Sequence, residues 1–487
     1  MVEYKMTLNF NFNNTYTNLP EYMTTKLSPT PVKNPEMIIL NYDLAENLGL
    51  NFKNVDLKEL SNIFSGSKLP PNTETFSQAY AGHQFGHFVI LGDGRAHMLG
   101  EQIKPDGSRV DIQFKGSGKT PYSRSGDGRA ALGPMLREYI ISEAMHYLKI
   151  PTTRSLCVVK TGESILRESK LQGAVLTRVA SSHLRVGTFQ FVASNQDIKT
   201  LSELVNYTVE RHFPDIENNK NLALELFKKV LNLQIDLVTN WMRVGFVHGV
   251  MNTDNMAISG ETIDYGPCAF MDNYDPQTVF SSIDHYGRYA YVNQPVIAHW
   301  NLVRFAETLI PLIDSDQSIA IKKVETEVLK FDELYKESWF KMMKSKVGII
   351  GEDENDLKLI NDLLSLMHRN QADYTNTFRN IMNGKLPKER LFNDPDFIFW
   401  EETWKSRLKK NNQPEEKSYD LMKGSNPVLI PRNHLVEEVL SEAENNQLDK
   451  LNKILNKLKN PYDEVDEEMY LKPAPPSNKI YKTFCGT

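Results

Sequence analysis

From His87 to Val179 apolar and polar positions alternate in short runs, the pattern of strands packed in a sheet. HFVILG breaks at GDGRA, resumes as HMLGEQI, breaks at KPDGS, and resumes as RVDIQF with Lys115 at its end. In that third run Val110, Ile112 and Phe114 share one face, while Asp111, Gln113 and Lys115 share the other. A helix is predicted over 134–148, with Pro134 in its first turn and Leu136, Ile140 and Ala144 at fourfold spacing. Two further strands are expected at RSLCVV and GAVLTRVA. Beyond residue 200 the period turns helical: Leu222, Leu226, Val230, Leu233, Leu237 and Trp241 form a stripe that stops at Gly245, a favourable helix-closing residue. FVHGVMNTDN then leads to two small strand candidates, MAIS and TIDYG, split by Gly260. Amphipathic helices such as DLKLINDLLSLMHR and HLVEEVLSEA follow, then a Pro-rich tail, KPAPPSNKIYKTFCGT. Ahead of the strands, residues 1–75 mix short apolar runs with prolines and suggest an arm wrapped on the rest.

The 487 residues would suffice for about three ordinary domains. A net charge of −6 argues against a general nucleic-acid binder, though not against a local basic pocket. No apolar run approaches the roughly 18 residues of a membrane span, and the opening MVEYKMTLNFNFNN does not read as a secretory signal. Three cysteines, Cys157, Cys268 and Cys485, can build neither a disulfide framework nor a four-cysteine zinc site, so the expected compartment is the cytoplasm.

Two motifs lose their first appeal on inspection. GSGKT at 116–120 lacks the early glycine of a Walker A loop, because Gln113 stands there, and Pro121 follows where a helix should open. HQFGH sets His83 and His87 four apart, but Gln84 replaces the zincin glutamate, which favours a structural role. GDGRA at 92–96 suits a hairpin turn. In context it also fits another template: strand, glycine turn, strand, a strand ending in Lys115, then a helix bearing Glu138. That is the order of a protein-kinase N-lobe, whose lysine binds phosphate oxygens and is positioned by the helix glutamate.

The segment 248–266 carries the strongest signal. A long helix, HGVMNTDN, a hairpin and then Asp264-Tyr265-Gly266 is the layout of a kinase catalytic loop and its metal-binding turn. Asn255 and Asp264 offer the hard oxygen donors that Mg²⁺ prefers. The alternative makes 252–255 a plain turn and Asp264 a helix cap. At the position of the catalytic aspartate stands Val250, which cannot accept a proton. Either the protein is a dead kinase, or another carboxylate works there, and Asp254 is the obvious substitute.

The runs YAGHQFGHFVILGDGRA, DIQFKGSGKTPYSRSGDGRAALGPMLREYIISEA and HGVMNTDNMAISGETIDYGPCAFMD closely resemble the selenoprotein O (SelO) family of kinase-fold protein adenylyltransferases. The resemblance implies an α+β, two-lobed protein-kinase-like (pseudokinase) fold with N-terminal and C-terminal extensions. Its parts would be an arm over 1–75, an N-lobe over 76–200, a helical C-lobe with catalytic loop and metal-binding turn over 201–430, and a C-terminal helix and tail over 431–487. It implies transfer of AMP from ATP to Ser, Thr or Tyr hydroxyls of protein substrates, with ATP flipped so that its α-phosphorus faces the acceptor. Neither nucleic acid nor membrane is an expected partner.

By the same resemblance Gly92, Gly94 and Arg95 contact the nucleotide, Lys115 binds phosphate and pairs with Glu138, and Asp127 and Gly128 hold the nucleotide. Arg178 and Arg185 match the family's arginine pair, Asp254 its proposed base, and Asn255 and Asp264 its ligands for Mg²⁺, with Mn²⁺ as an alternative; Asp264 thereby also meets the nucleotide. The charges suit the chemistry, since arginine's fork matches phosphate oxygens. Cys485 stands where family members often carry cysteine or selenocysteine, which suggests a regulatory disulfide or a mixed disulfide with glutathione. Two other functions stay open: a γ-phosphate-transferring atypical kinase that uses Asp254, and a non-catalytic nucleotide-binding scaffold. Retention of Lys115, Glu138, Asn255 and Asp264 together counts against the scaffold.

Overall fold

The computed structural model, which describes residues 8–217, 220–410, 414–475 and 483, turns the alternating runs into one antiparallel sheet. Its strands are β1 (Thr24–Lys26), β2 (Glu36–Leu40), β3 (Phe76–Gln84), β4 (His87–Gly92), β5 (Ala96–Ile103), β6 (Arg109–Lys115), β7 (Ala130–Ala131), β8 (Arg154–Leu166) and β9 (Lys170–Ala180). The order is β1-β3-β5-β6-β9-β8-β2, with β4 added on β3 and β7 on β9. Both outermost strands of this path come from the N-terminal 75 residues, which are therefore part of the sheet.

The two faces of β6 part as their alternation predicts. Ile112 and Phe114 join a core with Leu60, Ile63 and Phe64 of helix α2 (Leu57–Phe64), which follows the short α1 (Tyr42–Asn47). On the opposite face Asp111, Gln113 and Lys115 are also buried. There α3 (Leu132–Tyr147) packs Leu136 and Ile140 in a core that includes Val158 and Leu176 of the sheet. The polar face of β6 is thus turned inward, where each charge needs a partner.

GDGRA is not a hairpin turn. β4 and β5 both pair with β3, through registers that include Ala79↔Gly92 and Phe76↔Met98, and not with each other. Residues 93–95 bulge from between them, while the tight turn falls at Phe85 and Gly86, whose φ angles are 49° and 88°. The local Asp-Gly signal is overridden by pairing to an earlier strand. MAIS and TIDYG likewise do not pair with each other. Ala257 bridges Arg185 and Thr262 bridges Thr152, so each docks on a different segment.

After β9 come α4 (Val186–Ser194), α5 (Ile198–His212), α6 (Leu222–Val244) and α7 (Gln294–Ile313). Of the predicted stripe of α6, Leu226, Val230, Leu237 and Trp241 are buried and Leu222 and Leu233 half-buried; Asn221 caps the helix start, accepting from the Leu224 amide, and Gly245 closes it at φ 71°. Phe305 of α7 contacts both Phe189 of α4 and Phe227 of α6. Among the described residues Tyr291–Ile313 is long and apolar enough to cross a membrane, and half of its most apolar window is buried inside the protein. DLKLINDLLSLMHR forms the helix Asp356–Arg369, and HLVEEVLSEA lies within Asn433–Glu444. Thr483 bridges Ser281, whereas Cys485 lies outside the described residues.

One buried network ties the N-terminal segment to the sheet and to α5. Arg211 reaches Glu101 at 3.2 Å and Asp111 at 2.5 Å. Glu101 also accepts from the backbone amides of Thr15 and Tyr16, at 2.8 and 2.7 Å. Replacing Arg211 by methionine removes the cation shared by two buried carboxylates, leaving Glu101 to Arg109 and Asp111 to His183. Urea denaturation should show Arg211→Met about 3–5 kcal/mol less stable than wild type. A loss below about 1 kcal/mol would show that this network is replaceable by packing.

Candidate active site

Five elements meet around a cleft of about 470 Å³. β6 ends there in Lys115, α3 contributes Glu138, β9 contributes Arg178, and Arg185 is the N-cap of α4. The segment after α6 supplies Asp254 and Asn255, on a single 3-10 turn, and then Asp264. Gly92, Gly94 and Arg95 come from the bulge between β4 and β5, and Asp127 and Gly128 from the loop before β7. Every residue assigned to the site from the sequence, apart from Cys485, lines this one cleft.

The centre is a shared ion cluster. Lys115 Nζ lies 2.6 Å from both Glu138 Oε2 and Asp264 Oδ1. Arg178 donates to Glu138 Oε1 through Nε at 2.9 Å and Nη2 at 2.6 Å, and its Nη2 lies 2.5 Å from Asp264 Oδ1. Arg185 Nη1 approaches Asp264 Oδ2 at 3.3 Å and donates to the Asp254 carbonyl at 3.0 Å. Its guanidinium also lies 4.5 Å from the centre of the Tyr80 ring, a cation–π contact. Burial opposes ionisation of Glu138 and Asp264, but Arg178 and Lys115 outweigh it. Both carboxyls are held below the usual range, Asp264 well below it with Arg185 adding to the pull. Asp264 itself has φ 64°, a left-handed conformation that Asp tolerates better than most residues.

The surroundings are close-fitting. A Cβ on Gly82 would lie 2.2 Å from Asp254 Oδ1, and one on Gly92 would lie 2.4 Å from the Tyr122 ring. Burial raises Asp254 to about 6, with Arg185 pulling the other way. Its Oδ1 is buried and has no hydrogen-bond partner among the described residues. Asn255 spends its amide nitrogen on the Val250 carbonyl at 3.0 Å. Asp127 sits at the exposed rim, bound by both terminal nitrogens of Arg167 at 2.9 Å.

The donor set fits a hard cation. The Asn255 amide oxygen and the Asp264 carboxylate are hard oxygen donors, and the buried, unpartnered Asp254 Oδ1 lies in the same cleft. No group of three or more His, Cys, Asp or Glu side chains able to hold a metal occurs among the described residues. An ion that takes one or two carboxylates and completes its shell with phosphate oxygens and water needs no such group.

The sequence reading missed Asp93, Tyr80, Tyr122 and Arg167, all in the cleft wall. Asp93 was visible inside GDGRA, but only its burial distinguishes it from an ordinary turn residue. The loop at 116–120 behaves as expected of a failed Walker A motif: Lys119 is exposed and no helix follows it. His83 bonds Gln190, while His87 is exposed on β4, so the pair does not build a zinc site.

Burial raises Asp93 to about 6, against the pull of Arg185. Between the ordinary carboxyl value and about 6, the folded chain keeps a proton on Asp93 that the unfolded chain releases. Stability from this group therefore falls as pH rises through that window and is flat above it. Relative to Asp93→Asn, wild type should lose about 1.4 kcal/mol between about pH 5 and pH 7.5 in urea denaturation. Parallel stability curves for the two proteins would refute the raised value.

Comparison with known proteins identifies the chain's relatives. The family described as protein adenylyltransferase SelO matches residues 6–459. The chain is 55% identical over 484 residues to a protein nucleotidyltransferase YdiU of Nitrosococcus oceani, covering 99% of this chain and 98% of that one. The corresponding protein of Pelagibacter ubique is 55% identical over 484 residues, covering 99% of this chain and all of its own. That of Bacillus cereus is 53% identical over 480 residues, 98% of each chain. With more than half of its residues shared along nearly its whole length, the chain belongs to the SelO family of protein adenylyltransferases.

Proposed function

We propose that the chain moves AMP from ATP to a Ser, Thr or Tyr hydroxyl of another protein, within a two-lobed kinase-like core carrying extensions at both ends. The observation that carries this reading is the pairing of Val250 with Asp254. The position of a kinase's catalytic aspartate is aliphatic, while a buried carboxylate with a free oxygen faces the same cleft. The cytoplasm is the compartment that suits the reading.

The acceptor hydroxyl would attack the α-phosphorus, the bond from that phosphorus to the α–β bridging oxygen would break, and pyrophosphate would leave. Asp254 would take the hydroxyl proton. Lys115, Arg178 and Arg185 would bind the β- and γ-phosphates, leaving the α-phosphorus open to in-line attack, the orientation of ATP opposite to a kinase's. Gly92, Gly94 and Arg95 would lie along the nucleotide, with Asp127 and Gly128 closing the other wall. Asn255 and Asp264 would hold Mg²⁺ or Mn²⁺, which supplies neutralisation of charge on the departing pyrophosphate. Glu138 keeps Lys115 and Arg178 aimed before any phosphate arrives, so little reorganisation is left for the reaction itself.

The test uses ATP labelled at the α- or the γ-phosphate, with Mg²⁺ and casein as acceptor. Label from the α-position should reach protein, and label from the γ-position should not; transfer from the γ-position alone would make the enzyme a kinase. Asp254→Asn should slow transfer by about 10²–10⁴-fold while ATP still binds. Lys115→Ala and Asp264→Ala should each lower transfer by at least about 10²-fold. Full activity in either would remove that residue from the machinery.

A further inference from the structure

Asp254 Oδ1 has no hydrogen-bond partner among the described residues, and Gln84, next to His83 on β3, gives the carboxyl its side-chain hydrogen bond, so its aim depends on how β3 and the 3-10 turn are held together. Those neighbours form a closed ring. The His83 amide donates to Thr253 Oγ1 at 2.7 Å, and the Thr253 hydroxyl donates to Gln190 Oε1 at 2.6 Å. Gln190 Nε2 then returns to His83 Nδ1 at 2.7 Å. The ring joins β3, α4 and the 3-10 turn that carries Asp254. Thr253 is fully buried and Gln190 is 5% exposed, so the bond between them is made away from water, while His83 is half-buried.

A second bond set pins the tip of the β3–β4 hairpin beside the ring. The Phe85 amide and the Tyr289 hydroxyl both donate to Asn252 Oδ1, at 3.1 and 2.6 Å. The backbones are then too close for side chains. A Cβ on Gly187 of α4 would lie 2.0 Å from the Ala81 carbonyl oxygen, and Gly82 meets Asp254 as described above.

We propose that His83, Thr253 and Gln190 are positioning residues for AMP transfer, a ring that clamps β3 and α4 onto the catalytic turn and so aims the Asp254 carboxylate. This assigns a task to HQFGH, the motif left without one once zinc is set aside. None of the three touches the reacting atoms; each acts through the neighbour of Asp254. The inference rests on the adenylyl-transfer reading for its effect on rate, but the clamp itself can be observed apart from activity.

The experiment compares Thr253→Val, Thr253→Ser and Gln190→Met with wild type. Transfer of α-labelled AMP to casein gives kcat and KM for ATP, and hydrogen exchange of the peptide spanning 79–92 reports the clamp. Thr253→Val keeps the shape but removes the hydroxyl, leaving the His83 amide and Gln190 Oε1 without these partners. Thr253→Val and Gln190→Met should lower kcat about 10- to 100-fold, with KM for ATP within about threefold of wild type, and should speed exchange in the hairpin. Thr253→Ser should restore kcat to within about threefold and restore slow exchange. Should Thr253→Val fail to fold, Gln190→Met, on the other side of the ring, carries the same comparison. Wild-type kcat in Gln190→Met, or equal losses in Thr253→Ser and Thr253→Val, would overturn the positioning role. Unchanged hairpin exchange in Gln190→Met would overturn the clamp. If wild type itself moves no α-label, the adenylyl-transfer reading fails, and the exchange data still decide the clamp.

Discussion

Burying a charge is costly unless a partner is buried with it, and here five charged side chains are buried or nearly so within one hydrogen-bonded cluster. Glu138 is shared by Lys115 and Arg178, and Asp264 by Lys115, Arg178 and Arg185, so Asp264 is the member that joins all three cations. This couples elements that lie far apart in sequence: the end of β6, the middle of α3, β9, the cap of α4 and the Asp264 turn. Their relative positions are fixed by charge balance as well as by apolar packing. Asp264 holds the three cations together at the cleft wall, so their positions are set within the fold itself.

Much of this was legible in the sequence where the signal is local. The alternation of RVDIQFK named the face that carries Lys115, the apolar stripe of α6 marked a buried helix, and Gly245 marked its end. Longer-range pairing was not legible. Asp-Gly in GDGRA signals a hairpin, yet the competing strand is β3, and nothing local announces that β4 and β5 will share it. MAIS and TIDYG have strand-like composition but spend their bonding groups on segments near Thr152 and Arg185.

The site divides along the same line. Lys115, Glu138, Asn255 and Asp264 could be picked out because their order along the chain follows a known template. Arg178 and Arg185 required resemblance to a family, since two arginines seven apart carry no pattern of their own. Asp93 and Tyr80 escaped both routes. They are marked by burial close to Arg185, which depends on how β3 and the bulge meet α4's cap, and that is tertiary information.

The placement of β1 and β2 at opposite ends of the sheet bears on how the chain is made. β2 is synthesised early but pairs with β8, as in Met37↔Val159, about 120 residues later. On the ribosome that strand must wait, with its backbone groups unpaired, until β8 emerges. Glu101 likewise appears well after Thr15 and Tyr16, whose amides it binds. The sheet therefore cannot close in the order in which it is translated, and β2 gains its partner only after more than a hundred further residues have been made.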